Sequence, residues 1–355
     1  KDIIITVSNR GYIKSVPLSL YKPQKRGGKG RTGMSMREDD LVTQIFIAST
    51  HTKLLVFSSV GKVYLLRAFD ILEASPQSRG KSIVNLLPFD KDELISAVVP
   101  MPIDEKSWNN LNIVFATSLG MIRKNKLIDV AKSGQRSLRL SGKTAIKLND
   151  KDKLISVNIT DDLHDVLLST TDGKSIRFSI SKIRLTSGLN SKGVKGIKLK
   201  TNNKVVSMSL LKHSPIDISI RKDYLRYSSN YRKGENIEDN NDFKNLQSNE
   251  EFILNITTKG FGKRTSAYEY RIFGNRAGYG LTSILLTKKN GNVVDAFTVE
   301  NSDEIILMTN GGQIIRVPVN EIRIAGRNTQ GVSIFKIPQD EKIVSVSKVS
   351  EINEN

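Results

Sequence analysis

Residues 54–61 read Leu-Leu-Val-Phe-Ser-Ser-Val-Gly, and residues 305–312 read Ile-Ile-Leu-Met-Thr-Asn-Gly-Gly. Each is a short apolar run followed by Ser or Thr, two variable residues and glycine. Such a run, rich in branched side chains, reads as a buried strand. The Ser/Thr-x-x-Gly that follows is turn chemistry, with glycine supplying a positive φ. A second strand then starts, as at Ile314-Ile-Arg-Val317, so each unit contains a β-hairpin. The same signature recurs at Ser8-Asn-Arg-Gly11, Thr117-Ser-Leu-Gly120, Thr170-Thr-Asp-Gly173 and Thr257-Thr-Lys-Gly260, six copies in all.

A second glycine follows each hairpin by 19 to 23 residues: Gly33, Gly80, Gly142, Gly196, Gly280 and Gly331. Each opens a short alternating strand, and an apolar strand such as Leu94-Ile-Ser-Ala-Val or Ile343-Val-Ser-Val comes after it. Four strands per roughly 50-residue period, six times over, is the arithmetic of a propeller-like array. The expected fold is all-β, with six four-stranded antiparallel blades at about 1-40, 41-93, 94-153, 154-204, 205-292 and 293-350 of a single domain, 1-350. One interval is long: Gly173 to Gly260 spans 87 residues where the other four span 50 to 59. The excess, 213-250, is polar and lacks clear periodicity, and reads as a loop insertion in the fifth blade. Tyr224, Tyr227 and Tyr231 with Arg226 and Arg232 lie in it, either on a peripheral loop or as a base-stacking set. Residues 351-355 form a short, mildly acidic tail.

The chain carries 55 Lys+Arg against 36 Asp+Glu, a formal charge of +19, spread along its length. A surplus of that size implies a polyanionic partner, usually nucleic acid. The absence of cysteine excludes disulfides, thiolate metal sites and Cys nucleophiles, and fits a cytoplasmic setting. No apolar run approaches the ~18 residues of a membrane span, so no membrane partner is expected. The start, Lys1-Asp2-Ile3, has neither an initiator Met nor a signal peptide, and the chain reads as a piece of a longer protein.

Basic residues recur in equivalent slots. One set follows the hairpin glycine: Lys14, Arg67, Arg123, Arg177, Lys263 and Arg316. A second flanks the later glycine: Lys29 and Arg31, Arg79 and Lys81, Arg139 and Lys143, Lys192 and Lys195, Arg276, and Arg327. Repetition on every unit predicts a cationic stripe around the rim. Such a stripe suits a stiff polyanion that must be bent, because bending 20–30 base pairs by 40–90° costs roughly 1–6 kcal/mol and distributed phosphate contacts offset it. Aromatics are few, at 6%, which argues against base stacking on single strands. The expected partner is double-stranded DNA, held by its backbone with little sequence reading.

Residues 24–30 read QKRGGKG. The spacing is not that of a P-loop. It resembles the seven-residue box Gln-Arg-Arg-Gly-Gly-Lys-Gly of the A-type chains of DNA gyrase, with six of seven positions matching and Lys25 in place of Arg. Ile256-Thr-Thr-Lys-Gly-Phe-Gly-Lys-Arg264, Asn275-Arg-Ala-Gly-Tyr-Gly280 and Arg327-Asn-Thr-Gln-Gly-Val332 are also similar to the C-terminal domain of that gyrase chain, and the resemblance covers essentially all of 1–350 outside the insertion. It implies a six-bladed β-pinwheel that wraps duplex DNA around its rim, so that the parent type II topoisomerase introduces negative supercoils. It also implies, as partners, the rest of the gyrase A polypeptide together with gyrase B, in a heterotetramer of two copies of each, with the isolated domain monomeric. In that picture Gln24, Lys25, Arg26, Gly27, Gly28, Lys29 and Gly30 fasten the DNA. Lys25, Arg26 and Lys29 suit phosphates, and the glycines allow backbone N–H groups to approach closely. Lys25 keeps the charge but loses the bidentate fork.

No catalytic constellation is legible, and ATP and Mg belong to other parts of such an enzyme, so no cofactor is expected here. Asp161, Asp162, His164 and Asp165 cluster in TDDLHD, a conceivable metal site that reads better as solvated turn residues. Two alternatives stand beside the gyrase reading: the C-terminal domain of topoisomerase IV, and a propeller-type interaction scaffold with an incidental basic face.

Overall fold

The computed structural model describes residues 2–8, 10–20, 42–75, 78–132, 141–235 and 240–349. The box at Gln24–Gly30, together with Arg31, Gly33 and Arg139, lies outside the described residues.

Each hairpin is made by the same two bonds. The glycine N–H donates to the Ser/Thr carbonyl three residues back, from Gly11 to Ser8 (3.0 Å) through Gly312 to Thr309 (3.1 Å). The Ser/Thr hydroxyl accepts from the backbone N–H four residues on, for instance from Met121 to Thr117 Oγ1 (3.2 Å) and from Phe261 to Thr257 Oγ1 (3.2 Å). The glycines take φ values between 75° and 87°, the left-handed region that costs other residues ~1–2 kcal/mol. Ser/Thr-x-x-Gly is therefore a self-capping turn.

The chain folds into six blades arranged as a propeller-like ring. From the inside outward, the first blade reads Val42–Ser49, Asp2–Ser8, Tyr12–Pro17, Lys81–Ser82. The second reads Ile95–Pro100, Lys53–Ser58, Lys62–Arg67, Lys143–Thr144, and the third reads Leu154–Thr160, Asn112–Thr117, Met121–Lys126, Val194–Lys195. The fourth is Val205–Lys212, His164–Thr170, Lys174–Ser179, edged by both Ile272–Phe273 and Leu281–Thr282. The fifth is Val293–Val299, Phe252–Thr257, Phe261–Ser266, Val332–Ser333. In the sixth, Ile343–Val349, Glu304–Thr309 and Ile314–Pro318 are the strands among the described residues.

Two features depart from the expected layout. The innermost strand belongs with the hairpin before it: Val42–Ser49 pairs with Asp2–Ser8, and in all six blades the register shifts at the Ser/Thr of the turn. The outermost strand of each of the first five blades comes from the next repeat, as Lys81–Ser82 does for the first. The blades are thus out of phase with boundaries at 41, 94, 154, 205 and 293. A periodic sequence carries its spacing but not its phase, because phase depends on which strands pair across the repeat boundary.

In the third repeat-crossing segment, Gly193 rather than Gly196 plays the part of the second glycine. Gly193 has φ +81° and packs on Ile122 and Arg123, as Gly80 (φ +85°) packs on Ile13 and Lys14. Gly196 sits three residues further, where its N–H donates to the Gly120 carbonyl (2.7 Å), the bond made by Ile83 to Gly11 (2.8 Å) and Ser283 to Gly173 (2.8 Å).

The core is divided among the gaps between blades. Ile5, Val7 and Ile13 meet Leu54, Val56 and Leu66 between the first and second, and Phe57, Leu65, Phe115 and Trp108 fill the second gap. Further clusters fill the following three gaps. Ile306, Met308 and Val349 of the sixth blade pack with Ile45 of the first, which brings the last blade back against the first.

The 213–250 insertion is not an irregular loop. A short helix, α1, covers Leu127–Lys132 earlier in the chain, and the insertion adds two more. Helix α2, Ile218–Arg232, is capped by Asp217, whose side chain accepts from Ser219 N, and helix α3, Asn241–Ser248, is capped by Asn240. Tyr224 and Tyr227 of α2 close on Phe243 of α3 (5.6 and 5.1 Å between centroids), and Tyr224 stands edge-on to Tyr268 of the fifth blade (5.4 Å). The helical signal was present in the spacing of Tyr224, Tyr227 and Tyr231, which share one face. No helix among the described residues is long and apolar enough to cross a membrane.

Candidate nucleic-acid interface

The segment that crosses from one repeat to the next meets the outer strand of the preceding blade twice. It first runs parallel to it, at Ser15 opposite Glu73, Lys124 opposite Leu185, Arg177 opposite Ile272 and Arg264 opposite Ile324. It then turns and returns antiparallel at the Gly80, Gly193, Gly280 and Gly331 strands. Between the two contacts a loop stands off the blade edge, and among the described residues Arg79, Lys81, Lys192, Lys195, Arg276 and Arg327 lie on these loops and the strands that follow them.

Three of the loops close around a buried cation. Lys14 Nζ donates to the carbonyls of Ser75 (3.3 Å) and Ser78 (2.9 Å). Arg123 donates to Leu189 O (3.0 Å), Ser191 O (2.7 Å) and Asn125 Oδ1 (2.8 Å), and also to the Ala145 carbonyl. Lys263 Nζ donates to the carbonyls of Gly326 (2.6 Å), Arg327 (2.7 Å) and Thr329 (3.1 Å) and to Thr329 Oγ1 (3.1 Å). Burial pushes Lys14 down to about 8, Arg123 to about 10 and Lys263 to about 7.

The first set of cations is therefore not a rim stripe. Lys14, Arg123, Arg177 and Lys263 are each no more than 3% exposed. Arg177 is held by Asp165 (2.9 Å) and by the carbonyls of Ala267 (2.8 Å) and Lys212 (3.0 Å). Arg67 is paired with Asp70 and Arg316 with Glu304. Lys14, Arg123 and Lys263 shape the loops from beneath, because a strand residue three past the hairpin glycine points into the gap that the incoming loop fills.

The second set is placed differently. Lys81, Lys192 and Lys195 are exposed, while Arg79, Lys143, Arg276 and Arg327 are partly buried. Arg79 lies over the Tyr12 ring (3.7 Å). Arg276 Nη1 donates to Lys195 O (2.8 Å), and Arg327 donates to Glu269 O (2.7 Å) and Thr282 O (2.7 Å). The last two tie one crossing segment to the next.

Those ties belong to a longer chain of bonds. Lys147 N–H donates to Ser191 O (3.1 Å), Ala277 to Gly196 O (2.7 Å), Lys198 to Gly278 O (2.9 Å) and Leu285 to Thr329 O (2.9 Å). From residue 145 to residue 330 the crossing segments are thus joined end to end, forming a belt over the outer edges of the second to fifth blades. The belt exposes Lys147 and Lys198, and Lys336 is exposed just past its end; none of these three cations was in the sequence expectation. Their signal was legible in Ala145-Ile-Lys147, Gly196-Ile-Lys198 and Ile334-Phe-Lys336, a recurring apolar-then-Lys ending to the crossing segment. Tyr279, 56% exposed, lies 5.8 Å beneath the Lys198 ammonium.

The matched blades decide the family. A model of the DNA gyrase C-terminal domain, beta-propeller, matches residues 2–49, 52–100, 112–161, 164–212, 251–300 and 303–350, one block per blade. The chain belongs to the DNA gyrase C-terminal domain family. Among relatives of this gyrase-family domain, the DNA gyrase A protein of Rickettsia prowazekii (strain Madrid E) is 42% identical over 367 residues, covering 100% of the chain and 40% of that protein. The DNA gyrase A protein of Escherichia coli (strain K12) is 36% identical over 351 residues, covering 99% of the chain and 35% of that protein. The chain thus spans 40% or less of these two relatives. A solved C-terminal domain of DNA topoisomerase IV superposes with a TM-score of 0.74 at 24% identity, over 99% of this chain and 94% of that one. A solved DNA gyrase A C-terminal domain superposes at 0.67 and 24%, over 98% and 99%. The two superpositions share the ring of blades.

The TDDLHD residues of this gyrase-family domain go separate ways. Asp161 pairs with His164 (3.0 Å), Asp162 accepts from Lys124 (3.0 Å) and Asn112 (2.9 Å), and Asp165 holds Arg177 and His213. Among the described residues no three His, Asp or Glu side chains are grouped to hold a metal ion.

Proposed function

We propose that this domain binds and bends double-stranded DNA along the belt of crossing segments, largely without sequence preference. The carrying observation is the belt itself, which presents Lys147, Lys192, Lys195 and Lys198 on segments bonded end to end. A stiff polyanion needs phosphate contacts spaced along a curved and rigid support, since the bending cost falls on the whole site and each contact offsets only part of it. The buried Lys14, Arg123 and Lys263 supply rigidity by holding loop carbonyls in place before DNA arrives. Residues 24–30 act as the fastening point, as the gyrase box resemblance implies.

In this reading the domain is itself non-catalytic, needs no cofactor and works in the cytoplasm. It serves a parent DNA gyrase, together with the rest of the gyrase A polypeptide and with gyrase B, in which ATP-dependent strand passage introduces negative supercoils. The isolated domain is monomeric. The test is religation of a nicked circular duplex in the presence of the chain. The expected outcome is a shift in linking number that grows with protein concentration. No shift across a range in which the duplex is bound would remove the bending function and favour a scaffold with an incidental basic face. Deleting 24–30 is expected to abolish the shift while weakening binding far less.

A further inference from the structure

The inserted helices rest on the turn Ala267–Glu269 of the fifth blade, the turn that organises one end of the belt. Its Glu269 carbonyl holds Arg327 (2.7 Å) and its Ala267 carbonyl holds Arg177 (2.8 Å). Arg271 follows two residues later, exposed and stacked on Phe273 (4.4 Å), at the head of the segment that leads to Arg276. Helix α2 meets this turn through Tyr224, which packs on Tyr268 (5.4 Å) and donates to Glu250 (2.5 Å). Arg221 lies three residues before Tyr224, on the same face of the helix, and is partly buried.

Arg221 therefore lies on the helix face that meets a turn whose carbonyls hold two guanidiniums, Arg177 and Arg327, with a third, Arg271, two residues beyond the turn. Burial first, then Arg327, Arg177 and Arg271, push Arg221 below the ordinary arginine value. The acids around this turn already have partners: Asp165 pairs with Arg177 itself, Asp217 accepts from Ser219 N (2.8 Å), Asp223 pairs with Arg226 (3.0 Å), Glu250 accepts from Tyr224 and Glu251 accepts from Lys212 N (2.8 Å). Glu269 accepts from Arg327 N (3.3 Å), and burial raises its carboxyl above the usual range. Like charges gathered at mutual cost, on a helix that could have presented any residue there, mark a place where an anion would be stabilised.

We propose that helix α2 extends the DNA track, with Arg221, Arg271 and Arg327 forming a phosphate-binding site for the duplex backbone beside the belt at the fourth and fifth blades. This rests on the belt reading of the previous subsection. Arg327 already spends Nε and Nη1 on carbonyls, so it positions the site, while Arg221 and Arg271 supply the contacts. The insertion then adds a contact where the long connection leaves the ring, and the duplex would run past the insertion instead of being blocked by it.

The test measures affinity for a duplex against salt, between about 50 and 200 mM, with the full chain, Arg221→Ala/Arg271→Ala and Lys195→Ala/Lys198→Ala. Each lost phosphate contact lowers the slope of log K against log salt by ~0.9, so the arginine pair is expected to lower it by about two, with melting unchanged. Arg221→Lys, which keeps the charge, is expected to retain the parent slope. If the arginine variant keeps the parent slope and affinity while the lysine variant loses both, the inserted site is overturned and the belt stands. If the lysine variant also binds as the parent does, the belt reading falls, and the proposal with it.

Discussion

Lys263 and Lys195 carry the same charge and meet opposite surroundings. Lys263 is fully buried, its ammonium donating to three carbonyls and one hydroxyl of a rim loop. Lys195 is exposed on the strand at the edge of the third blade, its carbonyl accepting from Arg276 of the next segment. The first is a structural anchor whose desolvation is only partly offset by fixed dipoles. The second is available to an incoming phosphate. A formal charge of +19 counts both alike, yet only the exposed share reaches a partner, and the buried share determines how stiffly the exposed share is held.

The difference can be broken from its buried side first. Arg123→Met removes the donor to four acceptors at once, leaving the Leu189, Ser191 and Ala145 carbonyls without it. The expected cost is roughly 3 kcal/mol, read by chemical denaturation, with loss of ordered DNA binding at temperatures where the parent still binds. Gly120→Ala asks an L-residue to hold φ +84°, with its Cβ 2.9 Å from the Ile197 carbonyl. It should cost about 2 kcal/mol and open the seam between the third and fourth blades.

Lys263 sharpens the comparison through pH. Its folded value, lowered by burial to about 7, lies below its ordinary 10.5. Between those two values the unfolded chain binds more protons than the folded one, so this residue makes stability rise with pH across that window. Melting curves from pH 7 to 10 should show the parent gaining on Lys263→Met; a constant gap would mean that Lys263 does not titrate in the fold. Thr257→Val deletes the hydroxyl that accepts from Phe261 N and should cost about 1 kcal/mol. The smallest stability effect belongs to the exposed side: Lys195→Ala/Lys198→Ala should change stability by less than ~0.5 kcal/mol, while the salt slope of DNA binding drops by about two.

Much of the fold was legible because the turn motif is local. Ser/Thr-x-x-Gly makes its bonds within five residues, so six copies announce six hairpins before any packing is considered. The cationic slots were legible only as positions. Lys14, Arg123 and Lys263 sit three residues past the hairpin glycine just as a surface cation would, and what separates them from Lys195 is a loop from the following repeat, arriving more than 60 residues later in the chain. Lys147, Lys198 and Lys336 escaped notice because they lie past the glycine flank, on strands whose partners belong to another repeat. In the insertion, mixed charges masked the helical spacing of its tyrosines.

The sequence by itself determined the number of repeats, the hairpin at the heart of each, the basic surplus and the kinship to the gyrase domain, since all of these are written in short motifs and composition. The tertiary structure alone decided the phase of the blades, the loan of an outer strand to each of the first five blades from the next repeat, and which cations are buried. Those three depend on pairings between residues distant in the chain, where burial and backbone hydrogen bonding are settled by what arrives across the gap.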